Sequence, residues 1–409
     1  MAMVRVLNIV LRGSTLTCRF LFIFFLAKYV EPSVVGIYGL FTAAIGYALY
    51  LVGLDFYTYT TREILKSKKS VWGKYLKGQI YLSTLLYISL FIISVPFIVN
   101  GYLPVSILYW FVPILFLEHV NQEISRLLIA LSKQTIASIN LFIRQGVWAL
   151  LAVGIMYFDE SARHIELVFS LWMMSGFLAA ISGVYYLYRL NLGGWHSRVD
   201  ISWIKKGIKT SIVFLMATLA LRGVQTVDRY WLESLTNIDV VGAYILFVGV
   251  AGTAMTFLDA GVYSFSYPKL ISANNSSNKD EFNRILKNMS FLTVAFILVF
   301  IGVSLTLLPF LLDWIGREIY LKYSSMYVWV LLATVFNAFS MIPHYALYAQ
   351  GKDKVIVLSH CMSVFIFVIF AAIMTAWNKE LAIPIGVAMA FAFIFLFKFW
   401  FFINPVKNS

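Results

Sequence analysis

Charge is scarce in this chain, and that scarcity decides its solvent. Only 12% of the 409 residues are charged while 61% are hydrophobic, and the mean hydropathy is +0.83; soluble domains carry roughly 25% charge. Cysteine is nearly absent. Cys18 and Cys361 lie in apolar runs of different halves, which excludes a disulfide framework and any zinc-type spacing. Long polar stretches are missing as well: the outer segments at residues 100 to 104 and 158 to 164 leave no room for an extracytoplasmic catalytic domain. The apolar run Phe20 to Ala27 ends at Lys28 where a signal peptide needs small residues, so it reads as an uncleaved first helix.

What the chain has instead is repeated apolar length. Runs close to the roughly 20 residues that cross a hydrocarbon core recur at residues 5 to 28, 35 to 54, 79 to 99, 105 to 130, 138 to 157 and 165 to 188. A second set follows at 209 to 232, 239 to 262, 288 to 314, 323 to 347, 354 to 377 and 380 to 403. The expectation is an all-α polytopic membrane protein of about twelve spans. The net charge of +13 is explained by position and calls for no nucleic acid: the loop with Arg62, Lys66, Lys68, Lys69, Lys74 and Lys77, the segment with Arg189, Arg198, Lys205, Lys206 and Lys209, and most later basic residues fall on one side. By the positive-inside rule that side is cytoplasmic, with both termini on it.

The two sets of spans resemble each other, and fixed-offset self-similarity reveals architecture before any motif does. Leu11, Arg12, Gly13 and Arg19 match Leu221, Arg222, Gly223 and Arg229. Gly36, Tyr38, Leu40, Phe41, Gly46 and Tyr57 match Gly242, Tyr244, Leu246, Phe247, Gly252 and Tyr263, and Leu128, Ala130 and Lys133 match Leu347, Ala349 and Lys352. Six spans per half is an even number, so both halves enter from the same side. That predicts two six-helix lobes related by a pseudo-two-fold along the membrane normal, at 1–188 and 208–409, joined by a cytoplasmic linker at 189–207, with a substrate path between the lobes.

Charges within the spans carry the functional reading, since an arginine at mid-bilayer costs about 2.5 to 3.5 kcal/mol and needs a wet or paired location. Arg12, Arg19, Arg126, Arg144, Arg222 and Lys398 fall there, and the five arginines are the candidates for function. Asn8, Arg12, Thr15 and Arg19 share one helical stripe, and Thr218, Arg222, Gln225 and Arg229 repeat it. Arg12 can equally snorkel to the inner face, and Arg229 can pair with Asp228 or Glu233. The fourth span is unusually polar from Glu118 to Arg126, so it cannot face lipid. Glu123 and Arg126 are spaced to neutralise one another. Glu118 shows no local partner, and a desolvated carboxylate without one can carry a proton, which makes it the candidate for ion coupling, with Glu123 and Asp228 as further acids for that role. His119, His344 and His360 are scattered singly and read as hydrogen-bonded packing residues. More arginine than acid in the spans favours an anionic cargo, and the planar guanidinium suits phosphate oxygens.

Leu26, Ala27, Lys28, Pro32, Gly36 and Tyr38, then Asp228, Arg229, Leu232, Gly242 and Tyr244, and the Leu-x-Ala-x-Gly-Lys stretch ending at Lys352 resemble the pattern of polysaccharide and O-antigen repeat-unit flippases. These belong to the multidrug, oligosaccharidyl-lipid and polysaccharide exporter superfamily. The resemblance implies two six-helix bundles around a cationic cavity, alternating access, and an undecaprenyl-pyrophosphate-linked oligosaccharide flipped across a bacterial inner membrane. It also implies no cofactor, coupling to an H⁺ or Na⁺ gradient, membrane lipids as surroundings, and a polysaccharide polymerase and chain-length regulator as partners. Arg12, Arg19 and Arg222, with Arg126, Arg144 and Arg229, are the residues it assigns to the pyrophosphate. A multidrug exporter of the same superfamily would hold cationic drugs with acids, which the arginine excess disfavours. A polytopic polysaccharide polymerase, the enzyme alternative, would want a large polar loop that the sequence does not supply.

Overall fold

The computed structural model describes residues 2–100 and 105–404; residues 101 to 104 of the expected outer loop, and Lys407, lie outside them. The described residues form sixteen α-helices in chain order: α1 (Ala2–Tyr29), α2 (Pro32–Gly53), α3 (Tyr57–Lys66), α4 (Trp72–Val99), α5 (Val105–Ala130), α6 (Gln134–Phe142), α7 (Trp148–Phe158) and α8 (Ile165–Arg189) precede α9 (Ile201–Leu235), α10 (Ile238–Leu258), α11 (Ser264–Asn275), α12 (Lys279–Ile315), α13 (Glu318–Lys322), α14 (Ser325–Ala349), α15 (Asp353–Thr375) and α16 (Lys379–Ile403). An all-helical frame is what the bilayer demands, because helices satisfy their backbone hydrogen bonds internally.

Ten helical runs are long and apolar enough to cross a membrane, and eleven if the two parts of the bent α9 count as one span. Among the described residues this is one short of the expected twelve or so. The difference is α5, which is 26 residues long but whose second half, from Glu118 to Arg126, dilutes the apolar run. Glu118, His119 and Asn121 within it are buried against protein.

By internal packing the chain divides into two compact units, residues 1–22 with 41–215, and residues 23–40 with 216–409. Each is discontinuous in sequence, since the end of α1 and the start of α2 pack within the second. A glycine pair explains why. A Cβ on Gly242 would lie 2.0 Å from the Pro32 carbonyl oxygen, and one on Gly36 would lie 2.3 Å from that of Ile238. The two repeat-matched glycines thus let the first turns of α2 and α10 touch backbone to backbone, in a reciprocal contact that small residues make possible between helices in lipid.

Both halves also interrupt the second span of the repeat. In the first, Leu54 and Asp55 take positive φ of 48° and 50° between α2 and α3. In the second, a wide π turn, Asp259–Tyr263, joins α10 to α11, and Tyr57 and Tyr263 are matched residues. Within the first unit the segment after α8 is clasped onto the start of α4. The Gly73 N–H donates to the Gly193 carbonyl at 2.7 Å, Lys74 pairs with Asp200 at 3.2 Å, and Lys77 donates to the carbonyls of Trp195 and Ser197. Within the second unit α16 packs along both α14 and α15. Its small residues Ala382, Gly386, Ala388 and Ala390 allow that closeness, and a Cβ on Gly386 would sit 3.0 Å from the Ala371 methyl.

Candidate functional site

The first unit places its span charges in two polar sets. In the first set, a π turn at Ile143–Val147 joins α6 to α7 and carries Arg144 and Gln145. Such turns widen the helix by one residue and are frequent at functional positions. Arg144 is buried and its Nε donates to Glu118 Oε2 at 2.9 Å, with Nη2 joining the same oxygen. Trp172 Nε1 donates to the other carboxylate oxygen at 2.9 Å. The Trp172 ring stacks on Trp148, 14° from parallel, and Phe22 meets Trp148 edge-on. Glu118 therefore has partners, contrary to its solitary place in the sequence. They come from 26 and 54 residues further on, beyond the reach of any helical spacing rule.

Beside this set stands the arginine stripe of α1. Arg19 donates to Gln145 Oε1 at 3.1 Å and Arg12 to Ser138 Oγ at 3.2 Å. Both arginines are exposed, whereas Thr15 between them is buried and bonds the Leu11 carbonyl. The hydrogen bonds of Arg12 and Arg19 go to neutral groups, so each guanidinium is oriented by a neutral acceptor, and Arg19 also bears electrostatically on Glu118.

The second set lies across α3, α4 and α5. Glu123 accepts from Arg126 Nη1 at 2.7 Å, at the expected spacing, and also from Gln79. The Arg126 guanidinium lies over the Tyr57 ring at 3.6 Å from its centre, a cation–π contact. His119 Nδ1 meets the Tyr87 hydroxyl at 3.2 Å. These side chains form the polar floor of a cavity of about 580 Å³ whose walls include Ile80, Phe116, Leu127 and Val184. An apolar chamber with a few convergent polar groups is the usual form of a small-ligand site.

The second unit arranges its charges differently. Arg222 is exposed and donates to Gln225 Oε1 at 3.2 Å. Arg229 donates to the Gly39 carbonyl at 2.8 Å and lies 3.9 Å from Asp228, so it braces α9 against the start of α2. Asp228 is buried and accepts from the Tyr244 hydroxyl at 2.8 Å and the Arg229 N–H at 2.8 Å. Tyr244 is one of the residues of the repeat, matched to Tyr38. Two histidines read singly in the sequence, His344 and His360, come together at Lys398. No spacing signals that meeting, because the three residues sit on three helices. The one hint is that Lys398 stands between phenylalanines inside the last apolar run. Among the described residues no group of three or more metal-ligating side chains converges.

The model of the polysaccharide biosynthesis protein family matches residues 7–251. No curated protein matches in sequence. Among solved structures, an inward-facing multidrug resistance transporter of the MATE family in the MOP superfamily is similar, with a TM-score of 0.79 at 12% identity over 97% of this chain and 98% of that one. The outward-facing form of such a transporter gives 0.68 at 11% identity over 98% and 95%. A MOP superfamily transporter from Pyrococcus furiosus, described as having a binding pocket of reverse polarity, gives 0.61 at 12% identity over 100% and 96%. A family match over more than half its length makes the chain a member of the polysaccharide biosynthesis protein family, built on the fold of MOP superfamily transporters.

Proposed function

We propose that the chain moves an undecaprenyl-pyrophosphate-linked oligosaccharide across a bacterial inner membrane by alternating access, both termini being cytoplasmic, with an ion gradient driving the cycle. The observation that carries the reading is the α1 stripe, where Arg12 and Arg19 are held by Ser138 and Gln145. An arginine that is costly to insert and oriented by neutral groups suits a mobile anion better than a structural ion pair. A pyrophosphate offers oxygens in the geometry a guanidinium fork accepts. Arg222, matched to Arg12 in the repeat, is the corresponding candidate in the second unit.

Family membership supports a glycan cargo, and the all-helical frame supports movement through a membrane over surface catalysis. The expected result is that Arg19→Ala or Arg222→Ala, expressed in a host lacking its own flippase, inserts normally and lowers surface polysaccharide at least tenfold. Undiminished polysaccharide in both variants would remove the anion assignment. Failure of the wild-type chain to change the polysaccharide of any such host would remove the cargo.

A further inference from the structure

Lys398 lies within α16 at 1% exposure. Its ammonium nitrogen is 3.1 Å from His344 Nδ1 on α14 and 3.0 Å from His360 Nε2 on α15. The two imidazoles are 7° from parallel with centres 6.2 Å apart, so the amine bridges a pair of facing rings. Among the described residues no carboxylate forms an ion pair with Lys398. The titratable groups around it are the two histidines and Tyr345 of α14, whose ring meets His344 edge-on at 5.4 Å. From α9 comes the backbone of Ala217, hydrogen-bonded to His360. Asp259, in the wide turn after α10, bears on Tyr263 and Tyr345.

This arrangement is poor as a structural device. A buried ammonium is costly unless anions or water compensate it, and a lysine stem with an apolar end would fill the same space. It is well suited to a proton. In the charged form the ammonium donates to His344 Nδ1 and His360 Nε2, both rings being neutral. The Ala217 bond fixes which nitrogen of His360 carries its hydrogen, leaving Nε2 as the acceptor. Loss of H⁺ to water leaves a neutral amine that keeps hydrogen bonds to the same rings without any helix having to move. A second proton would put like charges at hydrogen-bond distance, so the cluster holds one at a time.

We propose that Lys398, with His344 and His360 as its positioning residues, is the proton-binding site through which a proton gradient drives the transport cycle. The proposal rests on the transport reading above. It moves the coupling role from Glu118, whose carboxylate is held by Arg144 and Trp172, to an amine whose partners are proton acceptors. The Ala217 bond ties the site to α9, the helix that carries Arg222.

Two measurements on the full chain test it. In the first, histidine ring ¹⁵N signals are followed by NMR in lipid nanodiscs between pH 5 and 9. The signals of His344 and His360 are expected to shift together in one transition, and that transition to vanish in Lys398→Met and in Lys398→Arg. Independent titration of the two rings, or an unchanged transition in Lys398→Arg, overturns the site. In the second, surface polysaccharide in a host lacking its own flippase is measured with and without a protonophore. Wild-type output is expected to fall at least tenfold with the protonophore. Lys398→Arg, which retains charge and bulk but does not release a proton, is expected to give the low output in both conditions. A Lys398→Arg chain that remains as active and as protonophore-sensitive as wild type overturns the coupling role while leaving the transport reading standing. A wild-type chain that supports no polysaccharide at all overturns the transport reading, and the NMR result then decides the site on its own.

Discussion

The two units bury charge in opposite ways. In the first, opposite charges meet: Arg144 and Glu118 are both buried and directly paired, with Trp172 completing the carboxylate. In the second, Asp228 lies 3.9 Å from Arg229 without a side-chain hydrogen bond to it, and no carboxylate among the described residues pairs with Lys398. Asp228 takes its hydrogen bonds from a tyrosine hydroxyl and a backbone N–H, and Lys398 is held by two imidazoles. A closed ion pair fixes helices in one arrangement, because opening it exposes both charges to low dielectric. A charge held by neutral acceptors can be discharged in place by losing its proton. The comparison assigns rigidity to the first unit's polar core and responsiveness to the second's.

The sharpest way to break this contrast is to remove one member from each core. Glu118→Gln leaves Arg144 buried without its counter-charge, and truncating one side of a buried pair costs about 3–5 kcal/mol. We expect a large fall in the thermal unfolding midpoint of the purified chain in detergent, with much of the loss recovered in the double variant Glu118→Gln, Arg144→Met. Lys398→Met removes an uncompensated charge instead, so its midpoint is expected to stay level or rise. If Lys398→Met proves as damaging as Glu118→Gln, the two cores do the same work and the contrast fails.

A smaller effect separates the inner pair of the first unit from the pair bordering its cavity. Arg126 and Glu123 retain 22% and 20% side-chain exposure, so solvent screens part of their attraction. Glu123→Gln keeps an acceptor for Arg126 and loses only the charge. The expected cost is about 1 kcal/mol, read as a modest drop in the same midpoint. A drop equal to that of Glu118→Gln would mean that the cavity is closed to water and lipid.

How much of this was legible beforehand depends on the range over which each feature is encoded. The helical frame and the α1 stripe follow from local hydropathy and the 3.6-residue period, and both are present. The reciprocal glycines are visible as a repeat, although only packing shows that Gly36 and Gly242 meet the Pro32 and Ile238 backbones. At α5 the apolar run is diluted from Glu118 to Arg126, where Glu118, His119 and Asn121 are buried against protein. Partnerships were the least legible. Arg12 and Arg19 each bond a residue 126 positions away, and the Lys398 cluster joins residues 54 and 38 apart. Each of its members, taken alone, is an ordinary packing residue.

At the edge of the apolar region the same chemistry should be worth little, and this gives the comparison its lower bound. Asp200 precedes α9 and accepts from the Trp203 N–H at 3.0 Å and from Lys74 at 3.2 Å. The backbone hydrogen bond first, and the lysine second, hold its carboxyl below the usual range. A folded-state value below the unfolded one, which is about 3.9, means the contribution is present above that pH and disappears as pH falls through the folded value. Wild type and Asp200→Asn are therefore expected to have unfolding midpoints that differ slightly at pH 6 and converge in acid below about pH 4. The measurement is a pair of thermal scans at each pH. Curves that remain apart in acid would show that Asp200 acts through packing of the Gly193 to Trp203 segment and not through its charge. Convergence would place the medium, more than the pairing itself, in control of what each ion pair of this chain contributes.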